Sequence, residues 1–125
     1  MKILVTGANG QLGKEFKNNI SKSQHEFYFT DLDELDITKK NEILDCVKNH
    51  KINLIINCAA YTNVNKAEIN KKQANEGNVN AVRNLIEACE EKKIKMIHLS
   101  TDYVYNSENF IPTSEDANIN PINYD

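Results

Sequence analysis

The stretch Thr6-Gly7-Ala8-Asn9-Gly10-Gln11-Leu12-Gly13 constrains this chain more than any other. It follows a short β-rich run, Lys2–Thr6 (KILVT). It opens a run over Gln11–Ile20 in which Leu12, Phe16 and Ile20 recur at helical spacing. Glycines spaced G-x-x-G-x-x-G between a strand and a helix suit a phosphate-binding turn. Gly7 permits the sharp exit from the strand, Gly10 lets a pyrophosphate approach the backbone with no Cβ in the way, and Gly13 allows close packing of helix on sheet. The helix N-terminus then offers unpaired N–H groups and the positive end of its dipole. A tight strand–helix turn holding no ligand would use the same glycines, so the pattern gains its meaning from this context.

Downstream, β-rich runs alternate with helical patterns. Phe27–Thr30 predicts a second strand. Thr38 is placed to cap a helix over Lys39–Asn49 that turns Ile43, Leu44 and Val47 inward. Asn53–Cys58 predicts a third strand. A longer helix is expected over about Lys72–Lys92, with Val79, Val82, Leu85, Ile86 and Cys89 facing the sheet. Lys95–Ser100 predicts a fourth strand, and Thr101–Asp125 reads as loop from its Pro, Asn, Ser and Asp content. The expected fold class is therefore α/β: a Rossmann-like doubly wound parallel sheet of order 3-2-1-4, truncated after about four strands. A chain of 125 residues is one domain, here an incomplete dinucleotide-binding domain over 1–125.

An acidic residue roughly 20 positions beyond such a glycine turn is placed to meet the adenosine ribose hydroxyls. Asp31 follows the second strand directly and Asp33 is close behind. Either carboxylate favours NADH over NADPH by repelling the extra phosphate; solvated loop acids are the alternative. The formal charge of −3 and the lack of a Lys/Arg stripe argue against a nucleic-acid partner. The apolar runs are too short to span a bilayer, no signal-peptide core precedes the glycine turn, and a cytoplasmic protein is expected. Cys46, Cys58 and Cys89 are odd in number and lack metal-ligand spacing, so packed reduced thiols are expected and no metal. Ser100–Asp102 close a central strand, where open α/β sheets place ligands. A hydroxyl there can donate to a developing alkoxide, or Ser100 and Thr101 can bond neighbouring backbone groups.

The turn TGANGQLG, the segment LDIT, the run NCAAYTNVNKAE (Asn57–Glu68) and the run STDYVY (Ser100–Tyr105) together resemble the dTDP-4-dehydrorhamnose reductase family of extended short-chain dehydrogenases/reductases. The likeness covers essentially the whole chain, with four motifs in order on the right elements. It implies an NADH- or NADPH-dependent reduction of a nucleotide-linked 4-keto sugar. Gly7, Gln11 and Leu12 would line the pyrophosphate, Asp31 the ribose, and Asp36 and Ile37 the adenine. Cys58, Ala59, Ala60 and Tyr61 would border the ribose–nicotinamide part, with Asn80 as the helix asparagine beside the cofactor. Lys66 and Glu68 look like the family's charged pair. Thr101 would be the catalytic hydroxyl that polarises the substrate carbonyl, and Asp102 and Tyr103 would lie in the sugar pocket. A homodimer is compatible with this reading.

The sequence departs from the family at two places. Asn65 stands where the family commonly has Asp. The family's Tyr-x-x-x-Lys motif follows a segment like Asn120-Pro121-Ile122-Asn123, yet here Asp125 holds the tyrosine's place by counting, Tyr124 is one residue early, and no lysine follows. The proton donor and the C-terminal sugar-binding domain are thus expected to be absent from these 125 residues, which alone would be inactive. A relative that serves as a regulatory subunit of methionine adenosyltransferase keeps this fold for another purpose. A non-catalytic dinucleotide-binding or regulatory module is therefore the alternative.

Overall fold

The computed structural model describes residues 1–105 and 112–121. Short runs rich in aliphatic and aromatic residues form its strands: β1 (Lys2–Thr6), β2 (Glu26–Thr30), β3 (Leu54–Asn57) and β4 (Lys95–His98). Along β1 the side chains alternate between faces, as strand geometry demands. Leu4 joins Ile55, Ile43, Val47, Leu85 and Cys89 in the larger core cluster. Ile3 and Val5 join Ile56, against Phe16, Phe27 and Phe29, on the opposite face. Helices α2 (Lys40–His50) and α5 (Ala81–Lys92) cover the first face, and Phe16 of α1 (Gln11–Asn19) packs on the second. A parallel sheet buried on both faces by crossover helices is the arrangement that continuous apolar strands require.

All strand pairs are parallel, in the order β2-β1-β3-β4. The expected order 3-2-1-4 puts the run Asn53–Cys58, as third strand, in a slot beyond β2, whereas the structure pairs it with β1 on the other side. Among the described residues none occupies that slot, because the segment after β2 folds as turns held by Asp31 and Asp36. β3 therefore stands where that order puts its fourth strand. The chain steps outward from β1 to β2, then crosses back to place β3 on β1's other side. This reversal opens a crevice at the carboxyl ends of β1 and β3.

Three expectations change in detail. Thr38 does not cap α2; its hydroxyl donates to the Asp36 carboxylate at 2.6 Å, and Lys39 stands at the cap with no side-chain capping bond. The long helix is divided into α4 (Lys71–Asn75), a π-helical turn over Glu76–Asn80, and α5. Ala74, Ala81, Leu85, Ala88 and Cys89 face inward, while Val79 and Ile86 are each 44% exposed. A short helix, α3 (Val64–Ala67), is capped by the Asn63 side chain, which accepts from Lys66 N at 3.0 Å.

Candidate functional site

The glycine turn sits where β1 leaves the sheet. Gly7 has a φ of 68°, in the left-handed region that suits glycine. A Cβ on it would fall 2.6 Å from Ala59 Cα, in the loop after β3. A Cβ on Gly13 would meet the Gly7 carbonyl oxygen and lie 2.6 Å from Ala8 Cα, so Gly13 seats α1 against the turn itself rather than against the sheet. The fold thus needs both residues. Gly10 differs. Its φ of −70° and ψ of 172° suit any residue, and a Cβ there would meet only the Gly7 oxygen at 3.2 Å. The side of Gly10 away from the protein is exposed, so the fold itself places little demand on its missing Cβ. Beyond it, Gln11 and Leu12 are exposed and no acidic side chain stands in the first turn of α1. The N–H groups there are available to an anion.

Two adjoining recesses share Ala59, Ala60 and Tyr61, and the first of them reaches Gly7 of this turn. The first, of about 280 Å³, is lined by Gly7, Asp31, Asp36, Ile37 and Ala81 among others. That volume is at the lower edge of small-molecule sites and suits a nucleoside rather than a whole dinucleotide. Its polar wall is built by local bonds. Asp31 accepts from Asn9 N at 2.8 Å, tying the glycine turn to β2, and from Leu32 N at 2.9 Å. Asp33 does not line the recess; Asp31 does. Asp36 accepts from Thr38 N and from the Thr38 hydroxyl, and lies 3.3 Å from the Lys39 ammonium. These contacts, the hydroxyl first, hold its carboxyl below the ordinary range.

The second recess, of about 570 Å³, is lined by Cys58, Asn78, His98, Ser100, Thr101 and Tyr103 among others. Thr101 accepts from Tyr103 N at 3.2 Å and so caps a 3₁₀ turn over Asp102–Val104. A hydroxyl has one hydrogen and two lone pairs, so this bond leaves the Thr101 proton for another acceptor. Tyr103 lines the recess and Asp102 does not. Asn80 also lies outside both linings, whereas Asn78 lines the second. Its side chain accepts from Tyr61 N at 2.8 Å and donates to Tyr61 O at 3.1 Å, fixing the shared wall. Burial raises the Cys58 thiol above its ordinary pKa, which fits a packing thiol rather than a nucleophile. Lys66 and Glu68 are exposed at the end of α3, and Asn65 beside them is exposed. Tyr124 and Asp125 lie outside the described residues.

A row of side chains that local sequence does not signal supports both recesses. Thr6, Asn57 and His98 stand in register across β1, β3 and β4. The buried Asn57 accepts from the Thr6 hydroxyl and from Ala59 N at 3.2 Å. Its amide nitrogen lies 3.0 Å from His98 Nδ1, which must accept and therefore leaves the ring proton on Nε2. The only available clue was a polar residue inside the apolar run NLIINC.

The described fold and crevice have close counterparts. A family model described as RmlD substrate binding domain matches residues 1–125. A dTDP-4-dehydrorhamnose reductase of Aggregatibacter actinomycetemcomitans is 40% identical over 105 residues, covering 83% of this chain and 36% of that protein. The crystal structure of a dTDP-4-dehydrorhamnose reductase from Clostridium acetobutylicum superposes with a TM-score of 0.94 at 37% identity, covering 99% of this chain and 44% of that one. One from Bacillus anthracis, in complex with NADP, gives 0.93 at 34% identity and covers 98% and 44%. The chain thus spans less than half the length of these relatives. Among the described residues no helix is long and apolar enough to cross a membrane.

Proposed function

The chain belongs to the RmlD substrate binding domain family, and from that premise we propose that it supplies the dinucleotide-binding half of a reductase acting on a nucleotide-linked 4-keto sugar. dTDP-4-dehydrorhamnose is the substrate that the names of its relatives favour. The observation that carries the reading is Gly10, exposed at the head of α1 in a conformation any residue could adopt, beside a nucleoside-sized recess. A pyrophosphate accepting from the first N–H groups of α1 gives that glycine its purpose.

A bound NAD(P)H would supply the hydride for the sugar carbonyl. This chain's own residues hold and orient. Gly7, Gly10 and the start of α1 take the pyrophosphate. Asp31 meets the adenosine ribose, and its charge favours NADH. Asp36 and Ile37 flank the adenine. Cys58, Ala59, Ala60 and Tyr61, with Tyr61 fixed by Asn78, border the ribose–nicotinamide part. Thr101 turns its unspent proton toward the substrate oxygen and stabilises the alkoxide as it forms, with Tyr103 beside the sugar. An aliphatic hydroxyl is a donor but a poor acid near neutral pH, so the proton itself comes from a group other than Thr101. Calorimetric titration of NADH, followed by absorbance assays with dTDP-4-dehydrorhamnose, tests the reading. A folded protein that binds no dinucleotide would refute it. Reduction is expected only when the remainder of the relatives' length is supplied, and binding without reduction by such a longer protein moves the reading to a non-catalytic dinucleotide module.

A further inference from the structure

Asn84 lies in the interior of α5 and does not line either recess. Asparagine is a poor residue for such a position, roughly 0.7 kcal/mol less favourable than alanine. Its side chain finds use far from its own helix. The amide nitrogen donates to Thr38 O at 2.8 Å and to Ile37 O at 3.3 Å, 46 and 47 positions earlier in the chain. Ile37 and Thr38 line the nucleoside-sized recess. One turn further along α5, Glu87 meets the Lys40 ammonium at 2.9 Å. One face of α5 therefore grips the segment entering α2 at two points. The Lys40–Glu87 pair is partly exposed and of a kind worth little, whereas Asn84 engages backbone carbonyls that have no freedom to turn away without moving the recess wall. The local bonds of Asp36 shape the turn internally but do not fix it relative to the sheet and the Ala59–Tyr61 wall. Asn84 does.

We propose that Asn84 is a positioning residue for the adenine end of the cofactor site: by holding the Ile37 and Thr38 carbonyls it sets the recess wall before ligand arrives. The inference rests on the dinucleotide reading above. Without Asn84 the wall must be ordered at the moment of binding, which reduces affinity for the adenine half. The contact is lost selectively in Asn84→Asp, a near-isosteric change that replaces the donor by an acceptor facing two carbonyls, and more simply in Asn84→Ala.

Calorimetric titration of ADP and of reduced nicotinamide mononucleotide into wild type and both variants, with melting curves of the ligand-free proteins, tests the proposal. Loss of two shared neutral hydrogen bonds predicts ADP binding roughly tenfold weaker. The mononucleotide, which has no adenine, should bind each variant as it binds wild type. Equal weakening of both ligands would mean a general structural role and overturn the proposal, as would ADP affinity within twofold of wild type in Asn84→Ala. If Asn84→Asp fails to fold, Asn84→Ala decides alone, since alanine favours the helix. Failure of wild type to bind either nucleotide would instead refute the dinucleotide reading itself.

Discussion

Replacing the three turn glycines one at a time separates what the fold needs from what a ligand needs. At Gly10 the backbone is ordinary and a Cβ meets one carbonyl oxygen at 3.2 Å. Alanine is a poorer helix cap than glycine, by up to about 1 kcal/mol, but restricts the unfolded chain by about 0.4–1 kcal/mol. The two effects nearly cancel. At Gly13 a Cβ would press on the Gly7 oxygen and stand 2.6 Å from Ala8 Cα. Both are backbone atoms that cannot rotate away. Overpacking against rigid backbone costs about 3 kcal/mol, the upper end of the usual range, and the helix preference of alanine, about 1 kcal/mol, leaves a net loss of about 2 kcal/mol. At Gly7 the left-handed backbone costs about 1–2 kcal/mol for a side chain, and the approach to Ala59 at 2.6 Å adds to it. For a domain of this size each kcal/mol moves the melting temperature by roughly 3–6 °C. Gly10→Ala should melt within about 3 °C of wild type, and Gly7→Ala and Gly13→Ala roughly 6 °C or more below it. Affinity should follow a different order. The branched side chain of Gly10→Val occupies the phosphate's place, and two lost bonds to a charged group, about 1.5–3 kcal/mol each, predict at least roughly hundredfold weaker NADH binding. Melting curves and calorimetric titration check both. A Gly10→Val protein with wild-type NADH affinity removes the turn from the site, and a Gly10→Ala protein as unstable as Gly13→Ala refutes the division of roles.

Asp31→Asn keeps an oxygen for Asn9 N but removes the charge. It should shift the ratio of NADH to NADPH affinity roughly tenfold or more toward NADPH, as competition titrations would reveal; an unchanged ratio means that Asp31 does not face the ribose. The Asp36 carboxyl is held below its ordinary pKa by Thr38 and Lys39. Its contribution to stability is thus present above the unfolded-state pKa, near 3.9, and lost as pH falls through the lower folded value. Melting temperatures followed from pH 5 downward should fall less steeply for Asp36→Asn than for wild type. Lys51 and Lys93 end α2 and α5 with φ values of 53° and 54°. Left-handed backbone costs a side chain about 1–2 kcal/mol, against about 0.5–1 kcal/mol for the greater unfolded freedom of glycine. Lys51→Gly and Lys93→Gly should therefore each stabilise by about 0.5–1 kcal/mol in chemical denaturation, and a loss of stability would contradict the cap geometry.

What the sequence reveals and what it hides divide along the range of the interactions. The alternation of strands and helices is written in periodicities of two and 3.6 residues, and the turn from Gly7 to Gly13 is a local pattern. Both are legible without a structure, and the chain shows the parallel sheet they imply. The order of the strands is less legible, because no local pattern says on which side of β1 the run Asn53–Cys58 returns, and it pairs with β1 rather than outside β2. Thr38 has the character of a cap, yet the nearer Asp36 captures its hydroxyl. In the long helix Leu85 and Cys89 face the core as their spacing predicts, whereas Val79, inside the π turn, and Ile86 are exposed.

The asparagines show why the support of the site is less legible than the site itself. A lining residue advertises its role by position: Asp31 ends a strand, Ala59 follows one, and Thr101 lies just beyond another. A residue that holds a wall acts through backbone groups whose position only the folded chain supplies. Asn78, Asn80 and Asn84 lie on one helical stretch with similar neighbours. Asn78 reaches Tyr61 and Asn84 reaches Ile37 and Thr38, because the π turn and the seating of α5 beside α2 fix their directions. Asn57 is buried to 0% exposure between strands, and burial of an unsatisfied amide would cost several kcal/mol. The folded chain meets that requirement with Thr6, Ala59 and His98, and the polar break in an apolar strand thereby becomes the tie between the ends of β1, β3 and β4 where the two recesses meet.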